Sequence, residues 1–204
     1  MSQATPRLIL ASASPRRREL LAGLGVRFEV RPIDLDESPR PGEVPPAYVE
    51  RLAREKAQAR ALPGELVLAA DTTVVLDEEI LGKPAGPEEA ESMLGRLSGK
   101  VHTVLTGVAL FDPAGNALSS AVETSRVRIA GLSAEEVRWY VATGEPLDKA
   151  GSYAIQGLGA LFVEAVEGNY TNVVGLPLPL TGRLFRELGH ELLGFRPPAG
   201  AQPP

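Results

Sequence analysis

The sequence predicts an α/β fold, and three stretches carry that prediction. Leu8 to Ala11 is an apolar run of strand length, followed by a polar turn, Ser12-Ala13-Ser14, and a helix opening at Pro15. Leu66-Val67-Leu68-Ala69-Ala70 is a continuous apolar run that reads as a central strand and ends in Asp71-Thr72. Residues 101–111 and 117–129 are two β-rich runs joined by Asp112-Pro113-Ala114-Gly115-Asn116, the pattern of a long antiparallel hairpin.

Taken in order, the first helix starts at Ser14, a side chain suited to capping, and Pro15, whose missing N–H costs nothing at a first helical position. Arg16, Arg17 and Arg18 then fill the first turn, where the positive end of the helix dipole disfavours a cation by roughly 0.3–1 kcal/mol. Three arginines can be a solvated basic face. Their placement against the dipole, beside free backbone N–H groups and two hydroxyls, points instead to a phosphate site, although no GxxxxGK[ST] loop is present. Gly23 and Gly25 offer stops. Phe28 to Ile33 alternates as a second strand and runs into the acidic loop Asp34-Leu35-Asp36-Glu37, and proline-rich residues 38–46 read as a flexible loop.

A helix from Pro46 to about Ala61 carries Val49, Leu52 and Ala53 on one face, and Lys56 continues that stripe. The lysine either snorkels at the edge of the face or points into a cleft. Asp71 likewise has two readings: a carboxylate capping a turn, or one placed at a strand end where open α/β sheets hold their chemistry. Strand continues over 73–76, Asp77-Glu78-Glu79 turns, and Ile80-Leu81 leads to the rigid Gly82-Lys83-Pro84. A helix from Pro87 buries Ala90, Met93, Leu94 and Leu97. After the hairpin, Ser133 and Glu136 form a capping box for a helix with Val137, Tyr140 and Val141 inward and Trp139 in the core or an interface. The glycine-rich run Asp148 to Gly159 permits close approach of a ligand, and Gln156 is its candidate for hydrogen bonding a base edge. A strand over 160–166 and a last helix with Leu180, Leu184 and Leu188 complete the domain, 1–193, ahead of a Pro/Gly-rich disordered tail, 194–204.

Bulk properties narrow the function. The chain has 204 residues, 44% of them hydrophobic, enough for one cored domain. A net charge of −5 argues against gripping a nucleic-acid polymer, so an anion site must be local. The absence of cysteine excludes disulfides, thiolate metal sites and thiol catalysis, and two histidines, His102 and His190, read as structural. With no signal-like N-terminus and no apolar run of membrane length, a soluble cytoplasmic protein is expected.

The polar residues without structural employment are Ser12, Ser14, Arg16, Arg17, Glu37, Lys56, Asp71, Thr72, Lys83 and Gln156. Four cations and a helix N-terminus suit a polyphosphate. Glu37 and Asp71 would repel it unless a divalent cation bridges them, and magnesium, held by one or two carboxylates plus phosphate and water, resolves the conflict. A carboxylate beside such a metal can deprotonate a water for attack at phosphorus.

Ser12-Ala13-Ser14-Pro15-Arg16-Arg17, Ala70-Asp71-Thr72, Gly82-Lys83-Pro84, Leu97-Ser98-Gly99 with His102, Asp148 through Gly157 and Val174-Gly175-Leu176-Pro177 resemble, in order over residues 7–190, the Maf family of nucleoside triphosphate pyrophosphatases. The Ile155-Gln156-Gly157 form is similar to the branch acting on dTTP and UTP. The resemblance implies a strongly curved mixed β-sheet with packed helices in two lobes around a cleft, similar to inosine-triphosphate pyrophosphatases, and a homodimer. It implies Asp71 as the proton acceptor, with Glu37 and Asp71 toward Mg2+ or Mn2+. It matches Arg16, Thr72 and Gln156 to positions linked to substrate choice, and Ser12, Arg17, Glu37, Lys56 and Lys83 to other cleft positions. The expected reaction is water attack at the α-phosphorus, giving nucleoside monophosphate and pyrophosphate. The alternatives are a nucleotide-binding regulator of septum formation acting through protein contacts, and an enzyme for modified or damaged nucleotides, modified pyrimidine triphosphates among them, with dTTP and UTP as side reactions.

Overall fold

A computed structural model describes residues 6–197. Six helices and seven strands follow the chain: β1 Arg7–Leu10, α1 Pro15–Gly23, β2 Glu29–Val30, α2 Pro45–Gln58, β3 Glu65–Leu76, β4 Glu79–Leu81, α3 Pro87–Leu97, β5 Val101–Asp112, β6 Ala117–Ile129, α4 Ala134–Ala142, β7 Val163–Glu167, α5 Tyr170–Val174 and α6 Leu178–Glu187. They form one curled mixed sheet with helices on it, in the order β2-β1-β3-β5-β6-β7, with β4 also on β3. β1 is parallel to β2 and β3, and the remaining pairs are antiparallel.

The register of β3 creates the cleft. One edge pairs continuously with β5 from Val67 to Val75. The other edge is shared: β1 pairs with Glu65 to Leu68, and β4 with Val74 to Leu76. Among the described residues, 69–73 have no strand partner on that side. Both neighbouring strands run toward this gap, so the loop after Leu10 and the loop after Leu81 open onto the same stretch. Asp71 is therefore not at a strand end as the apolar run implied. It lies mid-strand, and it reaches the cleft because the sheet parts beside it.

Alternation along β3 sorts the core. Val67 and Ala69 face α2, packing with Ile9, Ala11, Ala53, Ala57 and Ala109. Leu66, Leu68 and Ala70 face the other way, with Leu21 of α1 and Leu180, Leu184 and Phe185 of α6. Further along that second face Val74 and Leu76 meet Leu94, Leu97, Val137 and Tyr140 of α3 and α4. The two clusters on this face are the cores of the two lobes.

Several sequence expectations change. The strand over 28–33 shrinks to Glu29–Val30, because only these two residues pair with β1, and Arg31 turns its side chain to Glu65. The run at 160–166 begins as a 3₁₀ turn, Gly157–Phe162, and only Val163–Glu167 is strand. The short helix α5 has no apolar periodicity of its own and went unseen; Asn169 caps it. Trp139 is 47% exposed rather than in the core, touching Phe162 edge-on. His102 is buried, as a structural residue should be. The domain boundary at 193 falls inside a 3₁₀ turn, Leu192–Phe195, which buries Leu192 and stacks Phe195 edge-on against Phe185, so packing extends past the expected start of the tail. Residues 198–204 of that tail lie outside the described residues.

Candidate active site

The parted sheet holds a cleft of about 500 Å³. Ser12, Ser14, Arg16, Arg17, Glu37, Lys56, Asp71, Thr72 and Lys83 all line it, so nine of the ten residues singled out in the sequence converge. Gln156 does not line it. Its neighbours Ala154 and Ile155 do, and Gln156 sits half-buried one residue beyond.

The first wall is the start of α1. Ser14 caps the helix, its Oγ accepting from Arg17 N at 3.4 Å, and Ser12 Oγ accepts from Ser14 N at 3.2 Å. The Arg17 guanidinium is fixed on three sides: Nε donates to Gly175 O at 2.8 Å, Nη1 to Ser12 Oγ at 3.1 Å and Nη2 to Thr72 Oγ1 at 3.0 Å. Gly175 supplies its carbonyl at a φ of 123°, a backbone state that side-chain-bearing residues rarely adopt. Burial pulls the Arg17 pKa below its ordinary value, and the charge of Asp71 works against that pull. With three of five N–H groups used, two remain for a ligand. Arg16, half-buried, and Lys83, exposed, make no hydrogen bond or ion pair with the described residues, so the cleft combines held and free cations.

The second wall is α2. Lys56, 7% exposed, points into the cleft, which resolves its two readings. Its Nζ stands 2.7 Å from Asp71 Oδ1 and 2.5 Å from Glu37 Oε1. Burial opposes ionisation of Glu37, but the hydrogen bond and charge of Lys56, with Lys83 and Arg17 behind it, hold its carboxyl below the ordinary value. Gly107 permits this geometry. It is the partner of Asp71 on β5, and a Cβ there would lie 2.3 Å from Val49 O, so only glycine lets α2 cross the sheet this close.

The loop carrying Glu37 is tied down rather than loose. Arg51 grips Glu43 at 2.6 and 2.7 Å and pulls its carboxyl down to about 2, Arg40 reaches Glu55, and Tyr48 Oη donates to Glu37 O at 2.9 Å. Tyr48, missed in the sequence, lines the cleft, and burial with the nearby carboxylates pushes its hydroxyl up to about 12. Its signal was there: residues 48, 52 and 56 fall on one i, i+4, i+8 ridge of α2. Asp148, Lys149 and Tyr153 were also missed, hidden in a run whose glycines drew the reading.

Two carboxylates within bonding reach of one ammonium can also serve one divalent cation. Their oxygens suit Mg2+ or Mn2+, and no set of three or more His, Cys, Asp or Glu side chains converges among the described residues, so phosphate and water would have to complete the shell. Glu37 and Asp71 fit such an ion.

Residues 7–188 match the family model described as Maf-like protein. The chain belongs to the Maf-like protein family. Among its Maf-like relatives, a protein of Anaeromyxobacter sp. (strain Fw109-5) named dTTP/UTP pyrophosphatase is 58% identical over 199 residues, covering 96% of each chain. One of the same name from Myxococcus xanthus (strain DK1622) is 57% identical, covering 89% of this chain and 92% of its own. Of solved structures, the Ham1 protein of Staphylococcus aureus aligns over 75% of this chain and 77% of its own, at 17% identity and a TM-score of 0.47.

Proposed function

We propose that this Maf-like chain hydrolyses dTTP and UTP to the nucleoside monophosphate and pyrophosphate. The observation that carries the reading is Lys56 joining Asp71 and Glu37 opposite the arginine-lined N-terminus of α1, in one cleft. High identity to relatives named for that activity supports the substrate choice.

The triphosphate lies along the α1 wall. The backbone N–H groups of the helix start and the held Arg17 meet phosphate oxygens, and Arg16 and Lys83 close on the charge that develops as the anhydride breaks. Asp71 is the proton acceptor. Its Oδ1 is occupied by Lys56, and its Oδ2 makes no hydrogen bond among the described residues, leaving it for a water. That water's oxygen bonds to the α-phosphorus, the bond from α-phosphorus to the bridging oxygen breaks, pyrophosphate leaves, and the water's proton passes to Asp71. Glu37 and Asp71 would hold Mg2+ or Mn2+, which when bound supplies neutralisation of the polyphosphate and orientation of the water. Gln156, one residue past the lining, carries an amide donor and acceptor that suit the imide edge shared by thymine and uracil. Ser12 and Ser14 organise the anion-binding turn.

The same proposal has the enzyme working as a cytoplasmic homodimer on free nucleotides. No helix among the described residues is long and apolar enough to cross a membrane. A regulator of septum formation that merely binds nucleotide is not favoured by any feature of the cleft.

The test is a panel of nucleoside triphosphates with magnesium or manganese, scored for monophosphate and pyrophosphate, alongside Asp71→Asn. Turnover of dTTP and UTP by the wild type, and nucleotide binding without turnover by the variant, is expected. Near-normal pyrophosphate release by Asp71→Asn sinks the assigned role.

A further inference from the structure

Between the apolar cores of the two lobes, on the face of β3 away from α2, lies a strip of polar side chains where packing alone would call for aliphatic ones. Thr72 on β3 and Thr106 on β5 are cross-strand partners. Thr106 is 0% exposed, Asn172 of α5 0% and Ser125 of β6 1%. The contacts run in one line: Arg17 Nη2 to Thr72 Oγ1 at 3.0 Å, Thr72 Oγ1 to Thr106 Oγ1 at 2.9 Å, and Thr106 Oγ1 to Asn172 O at 3.1 Å. Asn172 is pinned in turn, its Nδ2 donating to Val104 O at 3.1 Å and Ser125 Oγ at 3.0 Å.

Hydrogen-bond chemistry gives this line a direction. A guanidinium only donates, so Thr72 Oγ1 accepts from Arg17. The carbonyl of Asn172 only accepts, so Thr106 spends its one hydroxyl proton there. Thr106 Oγ1 must then accept the proton of Thr72. The other acceptor open to Thr72, Gly175 O, is at 3.5 Å, well beyond the 2.9 Å to Thr106. Every short contact is satisfied in this one arrangement only.

We propose that Thr106 is a positioning residue that acts through Thr72 to hold the Arg17 guanidinium in its phosphate-facing pose, and that Thr72 serves this relay instead of donating to the substrate. The inference rests on the triphosphate reading of the cleft. With its proton committed inward, Thr72 has only a lone pair to show the cleft, and a phosphate oxygen needs a donor. The relay and the Gly175 carbonyl both come from the α5 segment, so that segment sets Arg17 from two sides.

The experiment compares Thr106→Val, which keeps shape and removes the hydroxyl, with Thr106→Ser, which restores it, and repeats Thr106→Val in an Arg17→Ala background. Steady-state kinetics on dTTP and calorimetric binding of inorganic pyrophosphate are the readouts, with thermal melts as a folding check. In the wild-type background, Thr106→Val lowers kcat/KM and weakens pyrophosphate binding by about tenfold, the scale of one hydrogen bond in a charge-assisted set. Thr106→Ser stays within about twofold. In the Arg17→Ala background the valine has no further effect, because its target is gone. Wild-type kinetics in a folded Thr106→Val protein, or the same loss with and without Arg17, overturns the proposal. If the valine variant does not fold, Thr106→Ala tests the same missing acceptor in less volume. Failure of both to fold while serine folds also overturns it, making the hydroxyl a requirement of the fold alone. A wild type that releases no pyrophosphate from any triphosphate overturns the functional reading instead, and the pyrophosphate titrations still decide the relay.

Discussion

Replacing Lys56 by methionine keeps the aliphatic stem that packs under α2 and deletes the ammonium joining Glu37 to Asp71. Stripping a buried carboxylate of its partner costs about 3–5 kcal/mol. The Asp71 side chain, 11% exposed, meets that description; the Glu37 side chain, 48% exposed, does not, and solvent screening reduces its share to well under about 1 kcal/mol. The net loss at pH 7.5 is then about 3 kcal/mol, a fall in Tm of roughly 6–12 °C for a chain of this size. The pH dependence has a definite sign. In the wild type Glu37 is held below its ordinary pKa, so its contribution is full above the ordinary carboxylate range and is lost only as pH falls below it. Lys56→Met lacks that contribution, so its deficit against the wild type stays level from pH 7.5 down to the ordinary carboxylate range and narrows only below it. Differential scanning calorimetry of both proteins across that range and below it should show the gap closing. Millimolar magnesium should raise the Tm of the variant more than that of the wild type. A deficit that does not narrow below the ordinary carboxylate range, or one below 1–2 °C at pH 7.5 (under about 1 kcal/mol), would refute the view that Lys56 joins the two carboxylates.

Other outcomes follow from the same geometry. Burial holds His102 neutral down to about 4, against an ordinary 6.5, so the unfolded chain takes up its proton first as pH falls; the wild type should lose about 3 kcal/mol between pH 6.5 and 4 relative to His102→Gln, and parallel urea-midpoint profiles would show that the histidine is not the cause. Gly107→Ala forces a methyl against the Val49 carbonyl; we expect a loss of about 1–3 kcal/mol and a fall in turnover as α2 and Lys56 lift from Asp71, read from melts and kinetics together. Because the α1 cations stand against the helix dipole, triphosphate should raise the Tm of the free protein with concentration, and a flat melting temperature across the titration would contradict the anion site.

Much of the site was legible because its chemistry is local. Arg16 and Arg17 at the N-terminus of a helix are written in consecutive residues, and a lysine on an apolar helical stripe is visible from spacing alone. Of the residues that were missed, Tyr48 had a local signal in its spacing to Lys56, and the others owe their place to distant partners. Tyr48 enters the cleft through its bond to the Glu37 backbone, and Asp148 and Lys149 through the packing of their loop beside Gly82. Gln156 went the other way: its residue type suits a base edge, but the turn that begins at Gly157 sets it one position outside the lining.

The sequence by itself determined the alternation of strands and helices, the anion-binding start of α1, and the identity of six of the eight charged side chains that line the cleft, since periodicity and residue type are local properties. Only the tertiary structure decided where the chemistry sits. Register along β3 divides one edge between β1 and β4, and the five unpartnered residues between them bring Asp71 and Thr72, on opposite faces of a strand, to one opening. The α1 arginines are a phosphate wall because that opening lies in front of them; hydrogen bonds from Arg17 to Ser12, Thr72 and Gly175, up to 158 residues apart in the chain, then fix the geometry that no local pattern encodes.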